Sequence, residues 1–317
     1  METPEGQGGG RGAGSHSHDA ADAIAGMLSA SAQGVRATWI SLGGLAATAF
    51  AQLAIVVISG SVALLADTIH NFTDALTAIP LLIAFRLGRR APNRRYTYGY
   101  HRAEDLAGIV IVLMILASAV AAGYEAVRHI MRPRPIEHAV LVLAAGVIGF
   151  LGNEGVAQYR IRVGRRIGSA ALVADGLHAR TDGLTSLGVV VSALGALAGV
   201  DRIDAVIGLL ITLVIAWTLF EAARQVLRRI LDGIEEPTIA LIEGVAAAVP
   251  RVEHVTEARA RWIGHQLRAE LSIDVEGSLS VETGHDIAED VRTALLQGVP
   301  RLADAAVHVE PHEHDPH

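Results

Sequence analysis

Six apolar stretches, each roughly as long as a bilayer is thick, dominate the middle of this 317-residue chain. A helix needs roughly 20 mostly apolar residues, at about 1.5 Å each, to cross about 30 Å of hydrocarbon. Ala37–Ser59, Ser61–Leu87, Leu106–Ile130, Ala139–Gln158, Ala170–Leu197 and Ile207–Ala223 meet that requirement. Lipid offers backbone N–H and C=O groups no partner, so such stretches must be helical. The Ser59–Gly60 turn makes the first two a hairpin, and Pro133 and Pro135 mark the next outer turn. The chain thus divides into a disordered cytoplasmic tail (1–34), a six-helix transmembrane domain (35–231), a cytoplasmic domain (232–311) and a His-rich tail (312–317).

Arginine distribution sets the orientation. Every basic side chain is Arg. Arg86, Arg89, Arg90, Arg94, Arg95 and Arg102 flank the loop between spans two and three. Arg160, Arg162, Arg165 and Arg166 lie between spans four and five, and Arg224, Arg228 and Arg229 follow span six. The opposite side carries Arg128, Arg132, Arg134 and Arg202. The positive-inside rule therefore puts both termini in the cytoplasm of a multi-pass cell (inner) membrane protein. Met1–Asp19 has no apolar core, so it does not read as a secretory signal.

A net charge of −7 gives no basic surface for nucleic acid. The absence of Cys excludes disulfides and thiolate metal sites, leaving N and O ligands. From Asp232 onward the pattern is soluble α+β. Pro237–Ala248 and Val281–Leu296 have helical periodicity, and Ala306–Glu310 reads as a short strand. Leu267, Ala269, Leu271, Ile273 and Val275 alternate with polar residues, as in a half-buried strand.

Within the apolar region a polar motif occurs twice. Span two contains Ala66-Asp67-Thr68-Ile69-His70-Asn71-Phe72-Thr73-Asp74, and span five Ala174-Asp175-Gly176-Leu177-His178-Ala179-Arg180-Thr181-Asp182. Offsets of three, four and seven lie on one helix face. An ionisable group at mid-bilayer costs about 2.5–3.5 kcal/mol on insertion scales, which argues for a function. Two such helices facing each other bring His70, Asp74, His178 and Asp182 together as an N2O2 set suited to tetrahedral zinc. Asp67 and Asp175, one turn earlier, are read as orienting the ligands or as helix-end groups. For Arg180, pairing with a carboxylate and snorkelling both stay open.

The run Ser61-Val-Ala-Leu-Leu-Ala-Asp-Thr-Ile-His70-Asn-Phe-Thr-Asp74 resembles the signature of the cation diffusion facilitators, and the resemblance extends over nearly the whole chain. It implies a dimeric metal–proton antiporter with six transmembrane helices and a cytoplasmic ferredoxin-like domain. It also implies efflux of zinc, or of cadmium, cobalt, manganese or iron, through a site from the second and fifth helices. Tyr96 and Tyr100 occupy positions where some bacterial members place His ligands of a second site. Arg102 and Asp232 fall where the family has a charge pair that locks helices across the dimer. His285, His308 and Glu310 match regulatory metal positions of the C-terminal domain, and His265 is a substitute ligand.

Two functions therefore compete. One is a proton-coupled transporter, in which each His sheds its proton to bind metal. The other is a non-transporting sensor or regulatory partner subunit with the same site. A metalloenzyme is disfavoured because His-Glu-x-x-His is absent.

Overall fold

A computed structural model describes residues 15–59, 68, 78–131, 139–198 and 203–312. The helical region comprises α1 (Ser15–Ser59), α2 (Ala78–Gly88), α3 (Ala103–Met131), α4 (Ala139–Ile167), α5 (Ala170–Leu197) and α6 (Ile203–Ile230). The C-terminal region follows with α7 (Glu236–Ala247), β1 (His254–Ile263), β2 (Gln266–Glu276), α8 (Val281–Gly298) and β3 (Leu302–His312). Two compact units result. One comprises Ala30–Gly233 with Ile263–His265, and the other holds the rest of the C-terminal region and residues up to Ser29.

Among the described residues, four helical segments are long and apolar enough to cross a membrane: Ser29–Ile58, Ala103–Tyr124, Ala139–Ile167 and Val206–Ile230. The expected fifth span coincides with α5, whose first half carries Asp175, His178, Arg180 and Asp182. Of the expected second span, α2 and Thr68 are described, while Asp67, His70 and Asp74 lie outside the described residues. Residues 15–34, expected as a disordered tail, are helical, because α1 starts at Ser15 and the apolar span at Ser29. Helix α4 runs past the expected end at Gln158 to Ile167. At about 1.5 Å per residue its 29 residues exceed the hydrocarbon thickness, so its Arg-rich last turns project beyond it.

Two residues join α4 to α5. Gly168 adopts φ +78°, which ends α4 in the left-handed region where only glycine is unstrained. Ser169 then starts α5, its hydroxyl accepting from the Leu172 N–H at 3.1 Å. So short a connection makes the helices antiparallel neighbours, and small residues let them pack closely. A Cβ on Gly176 would lie 2.7 Å from Ile161 Cγ1 and 3.0 Å from the Ile161 backbone nitrogen. Gly176→Ala is expected to cost about 1–3 kcal/mol through this overpacking, read as a lower thermal midpoint in detergent.

Helices α3, α5 and α6 share a core of Ile111, Ile115, Ala174, Ala222 and Val226. A second cluster joins Ala37, Leu81, Phe85, Ala107 and Leu172. Outward-facing Phe50, Leu113, Leu213, Trp217 and Phe220 are exposed. Such a belt would be a liability in water but suits contact with acyl chains.

The C-terminal sheet has strand order β1-β2-β3. Strands β2 and β3 are parallel, with Ser272 opposite His308 and Asp274 opposite Glu310. Helix α8 makes the crossover that a parallel pair requires, whereas Gly264-His265 can only join an antiparallel hairpin. On β2 the alternation expected from the sequence is seen, Leu267, Ala269, Leu271, Ile273 and Val275 being buried with Ile242, Ile287, Val291 and Leu295. Strand β1 was not anticipated. Its inward residues include Ala258 and Ala260, too weakly apolar to stand out beside Glu257, Arg259 and Arg261. Strand β3 is longer than Ala306–Glu310, running from Leu302 to His312.

Candidate metal site

Helix α5 carries the second copy of the motif. Asp175, His178, Thr181 and Asp182 are all nearly inaccessible, at 0–3% exposed. His178 Nδ1 lies 3.9 Å from Asp182 Oδ1. Two ligands on a tetrahedral zinc with bonds of about 2.0 Å stand roughly 3.3 Å apart, so a small rotamer adjustment lets both reach one ion. The Thr185 and Ser186 hydroxyls donate to the Asp182 backbone carbonyl at 2.7 and 3.1 Å, so both serve the backbone of the His178–Asp182 turn.

Asp175 has a different partner. Its Oδ2 is 3.0 Å from Arg160 Nη1, with both side chains at most 1% exposed. In the sequence Arg160 falls among the cytoplasmic loop charges. It is instead a buried residue of α4, because that helix continues beyond Gln158. Arg180 does not snorkel. Its Nε and Nη2 donate to the two Glu154 oxygens at 3.2 and 3.0 Å. Sequence reading picked out neither Arg160 nor Glu154 as a partner for α5. Glu154 inside the otherwise apolar fourth span was the available signal, whereas Arg160 lies beyond the end of that run.

Among the described residues no three His, Asp or Glu side chains converge to hold a metal. His308 and Glu310 share a face of β3, 3.7 Å apart. His308 also lines a groove of about 430 Å³ together with Glu257, Arg259, Glu270 and Ser272. His285 is exposed on α8. His265 belongs with the helical unit. Its Nδ1 is 2.9 Å from Glu104 Oε2 and its Nε2 3.4 Å from Ser31 Oγ, and the ring is buried. Arg102 and Asp232 pair at 3.0 Å within one chain, both about half exposed. Asp232 sits at φ 56°, just past the end of α6. In the loop before α3, Asn93 Nδ2 donates to the Tyr100 hydroxyl at 2.8 Å, and the Tyr96 and Tyr100 rings lie 4.6 Å apart. The two tyrosines pack on each other where other members are expected to hold metal.

On the sheet, the Thr256 hydroxyl donates to Asp274 at 2.7 Å and His312 lies 3.4 Å from it. The Thr256 bond, and then His312, hold the Asp274 carboxyl below the usual carboxylate range. A depressed folded-state pKa contributes stability that is present above the unfolded value and lost as pH falls through the folded one. Thr256→Ala should raise the Asp274 pKa and move acid unfolding of residues 234–312 to higher pH. Carboxyl carbon-13 titration of that fragment, with circular dichroism, measures both.

The family model described as the cation efflux transmembrane domain matches residues 38–231. The chain belongs to the cation diffusion facilitator, or cation efflux, family. A second model, the cytoplasmic domain of cation efflux proteins, matches residues 234–312. A probable cation efflux system protein of Mycobacterium tuberculosis is 54% identical over 299 residues, 94% of this chain and 90% of that protein. The manganese efflux system protein MneS of Bacillus subtilis is 26% identical, over 80% of this chain and 87% of its own. The cation-efflux pump FieF of Klebsiella pneumoniae is 26% identical, over 86% and 93%. Among solved structures, a cadmium form of a MamM C-terminal domain variant is 33% identical over 25% of this chain and 98% of that one, with a TM-score of 0.24. This cation efflux protein is thus a multi-pass membrane transporter of divalent metal, not an enzyme.

Proposed function

We propose that this cation efflux protein exports zinc from the cytoplasm in exchange for protons, through His70, Asp74, His178 and Asp182. One observation carries the reading: α5 buries His178 and Asp182 together on one face, 3.9 Å apart. Two imidazoles and two carboxylates favour a compact, borderline-soft ion over a harder one. The imidazoles must also give up their protons to bind metal, which couples metal binding to proton release. The protein works as a homodimer in the inner membrane, with six spans and both termini cytoplasmic, and the four domains keep the limits read from the sequence, apart from the helical residues 15–34. His285, His308 and Glu310 are regulatory ligands completed on metal binding, and Arg102–Asp232 steadies the end of α6. The test is counter-transport in liposomes containing only this protein, with zinc, cadmium, cobalt, manganese and iron offered separately across a pH gradient. Zinc uptake with proton movement in the opposite direction is expected. Metal binding without any flux would favour the sensor reading, and a preference for manganese would remove zinc.

A further inference from the structure

The α4–α5 hairpin is complementary in charge. Helix α5 carries two charges besides the Asp182 carboxylate, Asp175 and Arg180, and α4 supplies the opposite charge to each. Arg160 meets Asp175 at 3.0 Å, and Glu154 meets Arg180 at 3.0 and 3.2 Å. Along α5 the two bridges bracket His178, which lies three residues after Asp175 and two before Arg180. The Glu154 carboxylate is itself oriented, since Gln158 Nε2 donates to its Oε1 at 3.1 Å. The Arg180 pair is part-buried, so solvent screens it incompletely.

A guanidinium stays charged at any working pH. Arg180 is two residues from both His178 and Asp182, so it sits on the same turn of α5 but projects from a different face, the one that Glu154 meets. Where solvent screens it incompletely, an uncompensated positive charge on the same turn as the ligands disfavours a divalent ion there. Glu154 provides the compensation and fixes where the guanidinium points.

We propose that Glu154 is a positioning residue for transport: it holds and neutralises Arg180 on the α4 side of α5 and so preserves the affinity of the His178–Asp182 turn for a divalent cation. This rests on the reading of His178 and Asp182 as ligands. The full-length protein in liposomes, with zinc alone as substrate, tests it. Glu154→Gln should raise the zinc KM about tenfold while the maximal rate stays within about twofold. Glu154→Gln combined with Arg180→Gln should return KM to near the unmodified value. Arg180→Gln alone should leave KM unchanged or lower it, and this arm decides if Glu154→Gln does not fold. An unchanged KM in Glu154→Gln, no recovery in the double variant, or a raised KM in Arg180→Gln overturns the proposal. His178→Ala, run in parallel, separates the premise. If it transports with normal KM, the ligand reading falls. If it fails while the Glu154 variants behave normally, only the compensation idea falls.

Discussion

Zinc flux through Asp182→Asn is expected to fall about a hundredfold or more, with His178→Ala as severe. A tetrahedral site has four ligands and no spare, and substitutions merely adjacent to metal ligands already cost about 10–100-fold. On the proposed ligand set, Asp182→Asn would remove a negative charge that offsets the ion's own, at a residue only 3% exposed. The amide is nearly isosteric, so the helix should fold and insert as before. The measurement is initial zinc uptake into liposomes at matched protein density, with thermal unfolding as the control for folding. Near-normal flux in either variant would mean that α5 does not carry the ion.

The second large effect is on stability. Asp175→Asn should destabilise the helical unit by about 3–5 kcal/mol, because it strands the Arg160 guanidinium where only 1% of that side chain is accessible. Removing one partner of a buried pair leaves an unpaired charge. Removing both leaves a smaller packing defect, so Asp175→Asn with Arg160→Met should be milder than Asp175→Asn alone. Reversible unfolding in mixed micelles, arranged as a double-mutant cycle, gives the coupling. A strictly additive result would show that the two side chains touch without depending on each other.

Much of this molecule could be read from the order of its residues. Long apolar runs must form helices in lipid whatever their neighbours, so α3, α4, α5 and α6 were expected near their observed places. The period-two pattern on β2 needed no partner strand to be recognised, and the offsets in Asp175, His178 and Asp182 already imply one face of a helix. Strand β1 escaped because alanine contributes little burial, and its inward face becomes apolar only when α7 and α8 cover it.

What the chain could not show on its own is which distant charges meet. Arg160 resembled a cytoplasmic anchoring charge because the apolar run stops at Gln158, yet the helix continues and turns it onto Asp175. Glu154 and Arg180 lie 26 positions apart, and His265 and Glu104 lie 161 apart. Local periodicity determines a residue's face, because that depends only on the geometry of its own helix or strand. Pairing depends on the close approach that Gly176 permits at α4 and α5, and on the αL turn at Gly168 that folds one helix back along the other. The sequence alone therefore determined helices α3, α5 and α6, the β2 strand and the His178–Asp182 face. Tertiary packing decided that Asp175 and Arg180 are held by α4, and that His265 lies with Glu104.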